Sequence, residues 1–264
     1  MQETTDVLAM KGAQPDIACD RFSDGGWART SACVPSEMEL TVYVNSKELV
    51  TILCTPTKLN CLVLGFLYAQ GIISGMRDVA SMRVCEEESL ADVRLSNPEY
   101  KLPTLRTLTS GCGGGVAFTT QGERVESDLV VTPAEVLSLM KQFQQRMELY
   151  RLCGGVHASA LSDTKNLLVV AEDIGRHNTL DKIQGECLLR GLVVRDGLLL
   201  SAGRVSSEML LKAAKMQAPV VVSRSSPTGR AISLARNLGI AVVGYARGSR
   251  LSVYSHPERL GGST

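Results

Sequence analysis

The chain has 264 residues, a formal net charge of +1, 44% hydrophobic and 21% charged residues. These proportions exclude a disordered chain, and the near-neutral balance excludes a general polyanion or nucleic-acid binder, so any phosphate recognition must come from local arginines. No apolar run approaches the roughly 20 residues of a membrane span, and residues 1–10 carry acids and no apolar core, so no membrane segment and no signal peptide are expected and a cytoplasmic location is assigned.

Residues 1–31 mix Asp, Gly, Pro and Thr without periodicity and read as a mobile or loosely packed arm, with regular structure beginning after Pro35. Residues 39–54 are two β-branched runs around Asn45-Ser46, a hairpin signal. Thr57 is placed to cap a helix over 58–70 that is apolar on most of its circumference, hence buried, with Gly71 at its C′ position. Short strands are expected near 81–85 and 92–96.

Residues 107–116 then read Thr-Leu-Thr-Ser-Gly-Cys-Gly-Gly-Gly-Val. Glycines without a Cβ penalty at positive φ let such a stretch turn several N–H groups toward one point. If that point is the Cys112 sulfur, the thiolate is favoured and reachable, as a reactive cysteine requires. A surface loop with an incidental cysteine is the alternative on this stretch alone. The eight cysteines, at 19, 33, 54, 61, 85, 112, 153 and 187, are nowhere spaced Cys-x-x-Cys. Most sit in apolar surroundings, which fits buried small hydrophobes in a reducing compartment rather than a disulfide framework or zinc knuckle.

From Thr132 the pattern changes. Thr132-Pro133-Ala134-Glu135 is a capping box opening a helix to about Tyr150. Strands over 156–161, 167–171, 197–201, 219–223 and 240–244 alternate with helices over 178–190, 206–217 and 227–238, the signature of a layered α/β domain with a largely parallel sheet. The chain thus divides into the arm (1–31), a smaller α+β domain carrying the Cys112 loop (32–125) and an α/β domain (126–264).

After each of four strands comes a polar loop: Arg176 and His177 after the second, Arg204 and Ser206 after the third, Arg224 and Arg230 after the fourth, Arg247 and Arg250 after the fifth. Strand carboxyl ends form the binding edge of a parallel sheet, and helix N-termini there offer N–H groups to anions. Guanidinium forks match phosphate, so a pyrophosphate-bearing ligand is indicated. The alternative is that these residues only satisfy helix caps. His157, in Gly154-Gly155-Val156-His157, has Ser159 where a zinc deaminase would have glutamate, and paired cysteines are absent. His157 is left as a proton donor, a ligand contact or a core histidine.

With these residues laid out, the chain from about Pro35 to Leu260 resembles the FdhD family, the formate dehydrogenase accessory sulfurtransferases. The matching stretches include Pro35-Ser36-Glu37, Thr55-Pro56, Ser110-Gly111-Cys112-Gly113, Gly154-Gly155-Val156-His157, Glu172-Asp173-Ile174-Gly175-Arg176-His177-Asn178 and residues 245–250. The resemblance implies a two-domain fold whose C-terminal part is similar to cytidine deaminase without its metal site. It implies that a cysteine desulfurase loads Cys112 with persulfide sulfur. That sulfur would pass to a molybdenum or tungsten bis(molybdopterin guanine dinucleotide) cofactor, Mo-bis-MGD, bound as a substrate before it enters formate dehydrogenase. By position, Tyr245, Ala246, Arg247, Gly248, Ser249 and Arg250 are the cofactor-binding stretch, with Arg204, Ser206, Arg176, His177 and His157 as further contacts. The likeness favours a homodimer. It departs at Gly115, where many relatives have a second cysteine; Cys153 is one substitute. A chaperone that delivers the cofactor, with Cys112 only a contact, is the competing reading, and a metal-dependent deaminase is a third.

Overall fold

The computed structural model of the chain describes residues 10–101 and 122–262, with the backbone of 107–108 and 116–117. Cys112 and its glycines therefore lie outside the described residues.

Regular structure begins at Ala13, not after Pro35. β1 (Ala13–Ser23) and β2 (Gly26–Pro35) form an antiparallel hairpin. Asp24 and Gly25 both take positive φ, 51° and 79°, the turn geometry that matches the twist of the flanking strands. The polar composition that reads as an arm belongs to strands that are mostly exposed.

The second sheet holds the expected hairpin, β3 (Met38–Val44) and β4 (Lys47–Cys54), turning at Asn45-Ser46, both again at positive φ. β5 (Val79–Cys85) and β6 (Leu90–Leu95) complete it in the order β4-β3-β6-β5. The buried helix follows as α1 (Leu59–Ala69), closed by Gly71 at φ +73°. Thr57 does not cap it. Lys58 occupies the cap position in left-handed conformation without a side-chain cap, and the Thr57 hydroxyl is engaged elsewhere. β7 (Thr107–Leu108) and β8 (Val116–Ala117) pair antiparallel.

The third sheet carries β9 (His157–Ser162), β10 (Leu167–Asp173), β11 (Leu198–Ser201), β12 (Val220–Ser223), β13 (Ala241–Arg247) and β14 (Arg250–Ser255), in the order β10-β9-β11-β12-β13-β14. Only the β11/β12 and β12/β13 pairs are parallel; β10/β9, β9/β11 and β13/β14 are antiparallel. The expected largely parallel sheet is thus mixed, and β14 escaped the sequence reading because its alternation is weak beside the β13 run. The capping-box helix is real: Thr132 Oγ1 accepts from the Glu135 N–H and the Glu135 carboxylate accepts from the Thr132 N–H. It ends early, as α2 (Pro133–Gln145), and a separate short α3 (Glu148–Cys153) follows.

Helices cover both faces of this sheet. α4 (Arg176–Arg190), α5 (Ser207–Lys215) and α6 (Gly229–Leu238) pack on one face against Leu161, Leu199, Val221 and Val242. α2 packs on the other against Ala160, Leu200, Val222 and Val243. The switch of face at each successive residue is the period-2 pleat. α1 fills the core under the second sheet and lies directly against α4. A Cβ on Gly65 would meet the Asp181 carbonyl oxygen at 1.8 Å, and one on Gly185 the Cys61 carbonyl oxygen at 1.8 Å. Each helix therefore puts a glycine against the other's backbone, and the two cores are joined by this crossing.

Candidate functional site

β10, β11, β12 and β13 run in one direction, with β9 and β14 opposed, as the pairings require. Their carboxyl ends, at Asp173, Ser201, Ser223 and Arg247, fall along one edge, where β9 begins with His157 opposite Asp173 and β14 begins with Arg250 opposite Arg247. The polar loops read from the sequence thus do share an edge, although the sheet is mixed. α4, α5 and α6 all start there, so three helix N-termini face the same side. Ser206 and Thr228 cap two of them, accepting from the Met209 N–H at 3.4 Å and the Ala231 N–H at 3.2 Å. The dipoles add positive potential to an edge already bearing arginines.

The loops are laced together by small side chains. The Ser201 hydroxyl accepts from the Gly203 N–H at 3.2 Å, and the Ser223 hydroxyl donates to the Gly203 carbonyl at 2.6 Å. Val205 and Thr228 N–H groups donate to the carbonyls of Ser226 and Val205, zipping the second loop to the third. Gly203 lies against His157: a Cβ there would sit 3.1 Å from Nδ1.

Charged groups surround His157. Burial first, then Arg176 and His177, lower its pKa below the ordinary 6.5, with Arg204 acting the same way and Asp173 opposing. His157, Arg176, His177 and Arg204 are therefore one cluster. Across α4 and α5, His177 Nε2 lies 3.0 Å from Glu208 Oε2, and this contact is the main reason the Glu208 carboxyl sits below its usual value. Lys212 Nζ donates to the His177 carbonyl at 3.3 Å and to Asp181 Oδ2 at 2.5 Å, backing the same turn.

The stretch 245–250, expected as a polar loop after the strand over 240–244, is instead the end of that strand and a turn into another. Tyr245, Ala246 and Arg247 end β13, Gly248 and Ser249 make a tight turn, and Arg250 opens β14. Tyr245 is exposed at φ +52°, and its N–H donates to the Ser225 carbonyl at 3.1 Å. Arg247 Nε donates to the Arg224 carbonyl at 2.6 Å. This hairpin shares the edge with the histidine cluster, two strands away from β11. Glu208, in the first turn of α5, is an addition to the site residues. Among the described residues Arg224 Nε is buried with no hydrogen-bond partner, which a sequence signal of "Arg after a strand" cannot distinguish from a surface arginine.

The turn that carries Arg176 and His177 is held by a buried clamp. Asp173 and Lys182 are fully buried, with Nζ 2.5 Å from Oδ2. Asp173 also accepts from the Thr55 and Gly175 N–H groups and from Asn178 Nδ2. Lys182 donates to the Thr55 carbonyl, the Thr57 hydroxyl and the Glu172 carbonyl. All three ammonium protons thus have acceptors, so a buried charge pair is tolerable here. It also explains Thr57: its oxygen receives a lysine proton from the other layer instead of capping α1.

Among the described cysteines, burial pushes Cys54 and Cys187 up to about 12, Cys153 up to about 11, and Cys61 upward as well. Among the described residues no group of three His, Cys, Asp or Glu is arranged to hold a metal. Ser159, where a zinc deaminase would carry glutamate, bonds Thr179 through the two hydroxyls at 2.7 Å.

Comparison with known proteins bears on the family of the chain. Residues 35–261 match the model of the FdhD/NarQ family. The chain is 40% identical over 248 residues to the sulfur carrier protein FdhD of Bacillus subtilis, covering 91% of this chain and 95% of that one. It is 37% identical over 248 residues to the protein of that name from Staphylococcus aureus, covering 91% and 94%. The crystal structure of a putative formate dehydrogenase accessory protein from Desulfotalea psychrophila superposes with a TM-score of 0.78 at 26% identity, covering 94% of this chain and 99% of that one. With a family match over nearly all of the folded chain and relatives of this similarity along almost their full lengths, the chain belongs to the FdhD/NarQ family.

Proposed function

We propose that the chain is a sulfur carrier serving formate dehydrogenase, with Cys112 as the sulfur-bearing residue. The Cys112 thiolate attacks the terminal sulfur of a cysteine desulfurase persulfide; a Cys112–S–SH persulfide forms and the desulfurase thiolate leaves. In a second displacement the reduced metal of a molybdenum or tungsten bis(molybdopterin guanine dinucleotide) cofactor, which is the substrate here, would take the terminal sulfur, giving up two electrons to it, while the Cys112 thiolate leaves. The observation that carries the reading is the edge on which three helix N-termini, Arg176, His177, Arg204 and the 245–250 hairpin converge. Pyrophosphate and guanine are the groups such an edge accommodates. His157, kept neutral by burial beside two cationic neighbours, offers a ring nitrogen for hydrogen bonding without adding charge. The raised values at Cys54, Cys61, Cys153 and Cys187 keep those thiols protonated near neutral pH, so they do not compete as carriers. A boundary near residue 125, a homodimer and a cytoplasmic location complete the reading.

Incubation with a cysteine desulfurase and cysteine, followed by peptide mass spectrometry, tests it. One added sulfur on the peptide containing Cys112 is expected, and none in Cys112→Ala. A Cys112→Ala protein that still accepts labelled sulfur and activates formate dehydrogenase refutes the carrier role. A Cys112→Ser protein that keeps both cofactor binding and activation replaces it with a delivery chaperone.

A further inference from the structure

Cys33 and Cys153 meet at the seam between β2 and α3, and the sulfur-carrier chemistry leaves both unused. β2 lies against α3, and just beyond it the approach is close: a Cβ on Gly155 would meet Pro35 Cγ at 3.0 Å. Cys33 stands two residues before Pro35, on the same face of the strand. Cys153 stands two residues before Gly155, at the end of α3. There the Cys33 side chain is near enough to help raise the Cys153 pKa, and both thiols are partly exposed. Cys153 is also oriented: its Sγ donates to the Leu149 carbonyl at 3.3 Å. α3 in turn is tied to β10 by Glu172, whose carboxylate accepts from the Leu149 and Tyr150 N–H groups at 2.9 and 2.8 Å.

We propose that Cys33 and Cys153 are a redox site, forming a reversible disulfide with a small-molecule disulfide as oxidant and thereby fastening the amino-terminal hairpin to α3. The Cys33 thiolate attacks one sulfur of the oxidant, making a mixed disulfide and releasing one thiolate. Cys153, its proton passed to solvent, attacks the Cys33 sulfur and displaces the second. Two protein S–H groups become one S–S bond, and the oxidant is reduced to two thiols. Burial and the neighbouring Cys33 hold the Cys153 thiol near 11, so Cys153 is the slower, resolving partner. The bond has something to restrain. Among the described residues β1 and β2 pair only with each other, most of their residues are exposed, and a lone two-stranded hairpin is marginal by itself. Cys153 is separated from His157 by only Gly154, Gly155 and Val156, so the lock acts on the segment entering the candidate site.

The full-length reduced protein, incubated with glutathione disulfide, alkylated and digested, is expected to yield a peptide linked between Cys33 and Cys153 that dithiothreitol splits. Cys33→Ser is expected to lack the link, and Cys153→Ser gives the same control should the first variant fail to fold. The oxidised protein is expected to melt about 5 °C higher than the reduced one. Alkylation of the two cysteines as separate thiols, a link from either to Cys19, Cys85 or Cys112, or an unchanged melting temperature overturns the proposal. None of these readouts depends on sulfur transfer.

Discussion

Lys182 and Asp173 have no water to fall back on. Their side chains are fully buried, so Lys182→Met is expected to leave a carboxylate uncompensated and to cost about 3–5 kcal/mol, read as a lower denaturant midpoint. Replacing both, Asp173→Asn with Lys182→Met, is expected to cost less than the single change; an equal or greater loss would show that the hydrogen bonds to Thr55 and Thr57, not the charge balance, dominate. His157 gives a pH prediction. Its folded pKa is lowered, so below 6.5 the unfolded state takes up a proton that the folded state refuses. Stability therefore falls as pH drops from 6.5 toward the lowered value and is fully present above 6.5. His157→Asn is expected to flatten this limb, as measured by urea midpoints across pH. The partner choice at these residues was beyond sequence reading: Asp173 and Lys182 both stood in or beside a recognised motif, but only the fold brings Thr55 and Thr57 against them.

At the scale of elements, the α1/α4 crossing is the least forgiving contact. With carbonyl oxygens 1.8 Å from the Cβ positions of Gly65 and Gly185, no rotamer relieves the clash and the helices must separate. Gly65→Ala or Gly185→Ala is expected to lose at least about 3 kcal/mol or the fold itself, seen by loss of cooperative unfolding. The capping box offers a mild counterpart. Thr132→Ala removes the acceptor for the Glu135 N–H and is expected to cost about 1 kcal/mol. Both positions sit in plain sight in the sequence, yet only Thr132 was readable. A cap acts within four residues of chain, whereas the glycines matter because of backbone more than a hundred residues away.

For the whole molecule, a ligand that binds only the folded state must stabilise it. GDP at about a hundred times its Kd is expected to add about 2.7 kcal/mol and raise Tm by several degrees, with a smaller rise in Arg204→Ala. No shift at saturating GDP would count against the polar edge as a nucleotide site. Local signals determined much of the protein: the Asn45-Ser46 hairpin, the buried α1 with its terminal glycine, the capping box, and the alternation of strands and helices after residue 156. Period and turn chemistry act over a few residues, so the chain alone carries them. Strand direction, the hairpin at 245–250, the glycine crossing and the charge clamp were decided only in three dimensions. Each depends on which distant backbone supplies the hydrogen-bond partner, and the chain's own periodicity contains no record of that choice.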